Sequence, residues 1–268
     1  MDQQRRITIN GQLIDDSPLT DLSLINYGHF SSMQVRDGCV RGLSLHLERL
    51  DRSTKELFGV SLSHERVREA VRTALAGERT PVSLRINVFS RAFDATCPER
   101  PASADLMISI QPAVEPSMEP LRLRSVQYQR DLPHIKHVAT MGLFNHRRLA
   151  RLAGFDDAVF VDDVGRVSEA SIWNIAFDDG ESIVWPQAPM LPGITLQLMQ
   201  IASQRAGISS VAREVQLSEL SEFRGAFLMH SADIARPVAS IDDHEFTVDE
   251  QRVSQLRAAY AMHPWEPI

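Results

Sequence analysis

Apolar and polar residues alternate from the start of the chain. In RITINGQLID (residues 6–15) the alternation runs on both sides of Asn10-Gly11, a dipeptide that favours the left-handed geometry of a two-residue hairpin turn. The extended pattern returns over residues 30–35, and Asp37-Gly38 then sends the chain back through Cys39 and Val40, so a second hairpin is predicted. Over residues 44–58 and 63–76 the apolar spacing lengthens to that of a helix. Each segment starts at a serine and ends at Gly59 or Gly77, residues suited to open and close a helix. Residues 82–89 and 106–110 are short, rich in branched side chains and flanked by Pro, Asp or Ser, which reads as two further strands. These elements complete an α+β unit.

The stretch PAVEPSMEP, with Pro112, Pro116 and Pro120, restricts the backbone and removes amide donors, so it is the predicted interdomain linker. That places one domain over residues 1–115 and a second over 121–268. In the second, the pattern predicts a strand over 121–128, a helix over 141–153 and a hairpin over 158–168 that turns at 163–165. A helix over 195–206 is closed by Gly207, and later strands are expected near 210–215, 225–229 and 235–241. The expected fold class is α+β in two domains.

Composition narrows the function classes. The chain has 268 residues, of which 43% are hydrophobic and 24% charged, an ordinary balance for a folded globular protein. A net charge of -7 provides no overall field to gather the polyanion DNA or RNA, so nucleic acid is not an expected partner. No run approaches the ~20 apolar residues needed to cross a bilayer, and the opening MDQQRRITIN lacks the apolar core of a signal peptide. No membrane partner is expected, and the expected location is the cytoplasm. Cys39 and Cys97 lack metal-type spacing and fit reduced thiols.

Lysine usage changes the picture more. Lys and Arg together number 28, yet lysine occurs only at Lys55 and Lys136. Arginine replaces lysine well as a surface charge but is too basic to form an imine, so a lysine that persists in this background invites a chemical explanation. Lys55 lies off the apolar stripe of its helix and reads as a solvated residue. Lys136 lies in DLPHIKHVATMGLFNHRRLA, where Pro133 sets an extended entry and the lysine precedes a helix instead of riding on its exposed face. An inward amine loses solvation, which favours its neutral, nucleophilic form.

Three other segments carry candidate chemistry. GRVSEASIWNIAF puts Glu169 at the end of a hairpin strand, where it can stabilise a protonated ring nitrogen or join an ordinary salt bridge. In MLPGITLQLM, Pro192-Gly193 turns directly into a helix, and the amides of Ile194 and Thr195 form an anion site of the kind found at helix starts. HLERL sets Arg49 on the first helix beside its apolar stripe, within reach of a phosphate or at the surface. His134 and His137 offer a rival metal site, but they lack the spacing of a zinc motif. No metal is expected.

Taken in order, these segments resemble the fold-type IV pyridoxal-phosphate enzymes, the class IV aminotransferases. That family includes branched-chain and D-amino-acid aminotransferases, aminodeoxychorismate lyase and R-selective amine transaminases. NYGHFSSMQVRDG resembles the family's early glycine-valine-phenylalanine segment, and HLERLDRS its phosphate-binding arginine helix. HIKHV resembles its lysine segment, VSEASIWNI its pyridine-nitrogen glutamate segment, and LPGIT its phosphate loop. The resemblance spans nearly the whole chain.

It implies pyridoxal 5'-phosphate in an interdomain cleft, with Lys136 as the Schiff-base lysine and acid/base. Glu169 would hold the pyridinium, and Arg49, Ile194, Thr195 and Ser231 would hold the phosphate. Phe30 would line the substrate pocket, with Arg85 or Arg91 as partner to a substrate carboxylate. It further implies a homodimer that transfers an amino group between an amino acid or primary amine and a 2-oxo acid. β-Elimination, as in aminodeoxychorismate lyase, is the alternative chemistry, and a silent binding homologue is the alternative class. Ser31 stands where many members have glutamate, Met141 where branched-chain enzymes have tyrosine, and Trp173 brings bulk to a usually glycine-rich stretch.

Overall fold

The computed structural model of the chain describes residues 6–13, 25–79 and 81–268. It divides into two compact units. The first contains the described residues up to Val114 together with Ile135–Ala139 and Pro264–Ile268, and the second contains Glu115–His134 and Thr140–His263. The division falls inside the proline-rich stretch, which has no regular structure from 113 to 120.

The first unit is built from β1 (Arg6–Ile9), β2 (Gln12–Leu13), β3 (His29–Val35), β4 (Cys39–Arg41), α1 (Leu43–Phe58), α2 (His64–Leu75), β5 (Val82–Phe89) and β6 (Asp105–Pro112). Among the described residues its main sheet has the order β2-β1-β6-β5-β3, and every pairing in it is antiparallel. The first hairpin turns at Asn10 and Gly11, both at positive φ, as the dipeptide predicts; Ile14 and Asp15, the end of that predicted segment, lie outside the described residues. Leu47 and Leu50 of α1 and Val67 and Val71 of α2 pack with Met33, Leu84, Ile86 and Ile108 of the sheet in one core.

Helix α1 starts differently from the expectation. Its cap is Gly42 in the left-handed region, without a side-chain cap, and Ser44 lies inside the helix. The carboxylate of Glu266 accepts from the Ser44 amide at 2.9 Å, placing negative charge at the positive end of the helix. Glu266 is delivered by the terminal strand Trp265–Pro267, which pairs antiparallel with β4.

The second unit contains β7 (Leu121–Gln127), α3 (Met141–Leu152), β8 (Asp157–Val161), β9 (Val167–Ala170), β10 (Asn174–Asp178), β11 (Ile183–Pro186), α4 (Ile194–Arg205), β12 (Ser210–Arg213), β13 (Gly225–His230), β14 (Asp233–Ile241), β15 (His244–Glu245) and α5 (Glu250–Ala261). Its strands run in the order β12-β11-β10-β13-β14-β7-β8-β9, and β9 also pairs with β10. The last pairing, Asn174 with Glu169, closes β10, β13, β14, β7, β8 and β9 into a ring. Strands β8 to β11 are buried at every residue, so their sequences lack the alternation of a half-exposed strand. Helix α5, which the apolar pattern leaves unread, is capped by Asp249 accepting from the Arg252 amide at 2.9 Å.

Candidate active site

Lys136 packs with the first unit, although the boundary drawn along the sequence assigns it to the second. The cause is local backbone pairing. The Phe30 amide donates to the Lys136 carbonyl at 2.9 Å, the Val138 amide donates to the Gly28 carbonyl at 3.0 Å, and the adjacent Ile135 is buried in the first unit's core. A short extended segment is thus laid against the start of β3. Gly28 is required there, because a Cβ would fall 2.5 Å from the Val88 carbonyl oxygen.

Around this segment the first unit gathers cations and neutral polar groups. The Lys136 Nζ stands 4.9 Å from the centroid of the Phe30 ring, and the Arg85 guanidinium stands 3.6 Å from it, both within cation–π range. Arg85 also donates to Asn87 at 2.7 Å. Arg91 lies elsewhere in the unit, donating through its side chain and backbone to Asp105 at 2.9 and 3.0 Å. Arg49 is buried and donates to the Ser31 hydroxyl at 2.5 Å, while Ser31 bonds to His46 Nδ1 at 2.6 Å. Burial, Arg49 and Lys136 together hold His46 well below the usual histidine range. Burial and then Arg49 lower His29 to about 3. Both imidazoles are therefore neutral at physiological pH.

The second unit gathers anionic groups and a helix start. Glu169 is buried in β9, with Arg130 at 3.8 Å and the Leu191 amide donating to its carboxylate at 3.4 Å. Asn174, opposite Glu169 in the ladder, donates to the Leu191 carbonyl at 2.8 Å. The carboxylate is thereby tied to the turn leading into α4. That turn ends at Gly193, the cap of α4, where a Cβ would lie 2.0 Å from Asn174 Oδ1. Ile194 and Thr195 are the first two residues of α4, so their amides precede the helix's internal ladder. Ser231 lies between β13 and β14, in a turn where His230 Nδ1 accepts from the amides of Ala232 and Asp233 at 3.0 and 3.2 Å.

Trp173 is buried and pinned on two sides. Its indole nitrogen donates to Asp157 at 3.2 Å, and its ring stacks on His230 with centroids 3.8 Å apart. Met141, at the head of α3, is exposed. Asn174, Arg130 and His46 are among the polar groups of these clusters that the motifs do not single out. Asn174 and Arg130 sit within ordinary apolar or charged stretches, and His46 carries a signal only in its helical spacing from Arg49. Among the described residues, no group of three or more His, Cys, Asp or Glu is placed to hold a metal ion. No helix among them is long and apolar enough to cross a membrane.

Two α+β units, one with a lysine beside an aromatic ring and a buried arginine, the other with a buried carboxylate tied to the turn that enters a glycine-capped helix, define the class. The fold is that of fold-type IV enzymes. The model described as "Amino-transferase class IV" matches residues 28–241, and the chain belongs to that family, whose cofactor is pyridoxal phosphate.

A probable branched-chain-amino-acid aminotransferase of Rickettsia felis is 24% identical over 169 residues. That match spans 59% of this chain and 58% of the relative, little more than half its length. The crystal structure of a branched-chain aminotransferase from Thermoproteus uzoniensis with norvaline superposes with a TM-score of 0.83 at 19% identity, covering 95% of this chain and 93% of that one. A putative 4-amino-4-deoxychorismate lyase from Legionella pneumophila gives 0.78 at 20% identity, covering 94% of each chain. These likenesses show the fold.

The donor set fits the cofactor's chemistry. The lysine amine suits an aldehyde carbon, the buried carboxylate a ring nitrogen, and the buried guanidinium and helix-start amides a phosphate. Gly193 lets the Asn174 side chain pack against the entry to α4, where the Cβ of any other residue would collide with it.

Proposed function

We propose that this protein is a pyridoxal-phosphate-dependent aminotransferase that moves an amino group between an amino acid or primary amine and a 2-oxo acid. The observation that carries the reading is the linkage of Glu169, Asn174, Leu191 and Gly193. It ties a buried carboxylate to the turn that leads into α4 within one unit, so that a group suited to a ring nitrogen and a helix start suited to a phosphate are linked through one stretch of backbone. When bound, the cofactor supplies an aldehyde for the amine and an electron sink for the substrate's Cα.

The chain's own residues do the rest. Lys136 would hold the cofactor through Nζ and, once displaced by the substrate amine, would as a free amine take the proton from the substrate Cα and later return one, so that one residue serves as nucleophile and acid/base. Glu169 keeps the ring nitrogen protonated. Arg49, Ile194, Thr195 and Ser231 hold the phosphate. Phe30 lines the substrate side, and Arg85, already against the Phe30 ring, pairs with a substrate carboxylate; Arg91 is engaged by Asp105, which leaves Arg85 the better placed of the two.

The protein works as a cytoplasmic homodimer in this reading. Met141, Phe144, Leu149 and Leu152 leave an exposed apolar surface on α3, of the kind that marks association; light scattering showing a monomer at micromolar concentration would remove this part. Substrate chemistry is tested with a panel of amino donors against pyruvate and 2-oxoglutarate. Keto product formed stoichiometrically with acceptor consumption supports transfer. Pyruvate released without an acceptor would replace it with β-elimination, and a purified chain that takes up no cofactor would make it a silent homologue.

A further inference from the structure

We propose that Ser31 and His46 are positioning residues for Arg49, a directed hydrogen-bond chain that fixes the guanidinium in the orientation from which it binds the cofactor phosphate. The inference rests on the reading of Arg49 as a phosphate ligand and adds two residues that carry no family assignment.

The three groups come from two elements. His46 and Arg49 are three residues apart on α1, and thus on one face of the helix, while Ser31 lies on β3. All three side chains are buried, with Ser31 at 0%, His46 at 3% and Arg49 at 5% exposure. The first of the two bonds has a fixed direction. Arg49 has donors and no acceptor, so Nη2 donates to Ser31 Oγ at 2.5 Å. The Ser31 hydroxyl has one proton and two lone pairs, and accepting from a cation favours its giving that proton to His46 Nδ1, 2.6 Å away. His46 then carries its proton on Nε2.

Such a chain strengthens along its length, because a hydroxyl that accepts from a cation becomes a better donor. It also orders a side chain that would otherwise sample many rotamers, so a bound phosphate meets a guanidinium already in place.

The test compares dissociation constants for pyridoxal 5'-phosphate and pyridoxal, measured by titration on the purified apoprotein. Pyridoxal lacks the phosphate but keeps the aldehyde and ring. Ser31→Ala is expected to weaken pyridoxal phosphate on the order of tenfold, the effect of losing a bond to a charged group, and to leave pyridoxal unchanged. His46→Leu, which removes the acceptor, should act the same way. His46→Asn, whose amide oxygen can take the place of Nδ1, should recover most of the affinity.

Equal losses for both ligands would show a general packing role and overturn the proposal, as would no loss for either. If Ser31→Ala does not fold, as read by thermal melting, the two His46 variants carry the comparison alone, with rescue by Asn and none by Leu as the supporting result. A wild-type protein with no preference for the phosphorylated ligand would overturn the reading of Arg49 itself and this inference with it. A wild-type preference unaffected by these substitutions would overturn only the inference.

Discussion

The two units solve the problem of holding a polar site in opposite ways. In the first, cations from three elements stand against one aromatic ring and a set of neutral polar side chains: Lys136 and Arg85 at Phe30, Arg49 at Ser31, and two histidines kept uncharged. In the second, the key group is an anion, and the backbone does most of the holding. Glu169 lies at the pairing that closes the strand ring, with the Leu191 amide and the Arg130 guanidinium beside it. Side-chain networks lose their geometry one bond at a time, whereas a site built from paired backbone fails only when the backbone itself is pushed. The first unit should therefore yield graded variants and the second sharper ones.

The largest expected effect comes from the anion. Glu169→Gln keeps the size of the side chain but removes its charge and turns one acceptor oxygen into a donor, and kcat is expected to fall on the order of 100-fold or more, as when a group that stabilises developing charge is lost. Because Arg130 is buried beside it, stability should fall as well, by about 3 kcal/mol if the pair behaves as other buried ion pairs do when one partner is lost. Steady-state kinetics and urea unfolding read the two effects separately. An unchanged kcat would mean that Glu169 serves only as an ion-pair partner.

Gly193→Ala should act next most strongly. Its Cβ would collide with Asn174 Oδ1 at 2.0 Å, so the α4 entry must shift, at a cost of about 1–3 kcal/mol. Affinity for pyridoxal phosphate should drop with it, and Asn174→Ala in the same chain should restore part of the stability. If the double variant is no more stable than the single one, the close approach is not what requires glycine.

The smallest effect at neutral pH concerns the first unit's histidines. The Thr54 hydroxyl donates to the Leu50 carbonyl at 2.7 Å, so it accepts from His29 Nε2 at 2.9 Å, and His29 is a neutral donor. Its folded value of about 3 lies below its ordinary 6.5, so the unfolded chain takes up the proton first as pH falls. The contribution is fully present above pH 6.5 and is lost as pH falls toward 3, with a slope of at most about 1.4 kcal/mol per pH unit. His46 adds in the same direction. Urea unfolding of wild type and His29→Gln across that window should show the variant losing less stability on acidification. Parallel curves would contradict it.

What the sequence discloses follows the same division between local and distant causes. The first hairpin and both N-terminal helices were legible because their signals are neighbours in the chain: Asn10-Gly11, Ser63 and Gly59. The cap of α1 was not, since Glu266 arrives from the far end of the chain. Nor was the placement of Lys136, which follows from pairing with Gly28 and Phe30, more than a hundred positions earlier. Strands β8 to β11 carry no alternation because both faces are buried. Lys136, Glu169, Arg49 and the 194–195 helix start were legible as candidates through their motifs, whereas Asn174, Arg130 and the Ser31–His46 link appear only once distant segments are brought side by side. Trp173 was visible as unexpected bulk, but its stack on His230 was not.

The scarcity of lysine makes the central claim directly measurable. Protein incubated with pyridoxal 5'-phosphate, reduced with borohydride, digested and mapped by mass spectrometry should carry the phosphopyridoxyl mass on the peptide containing Lys136, with Lys55 unmodified. Stoichiometric label on Lys55, or none on Lys136 under saturating cofactor, would contradict the account.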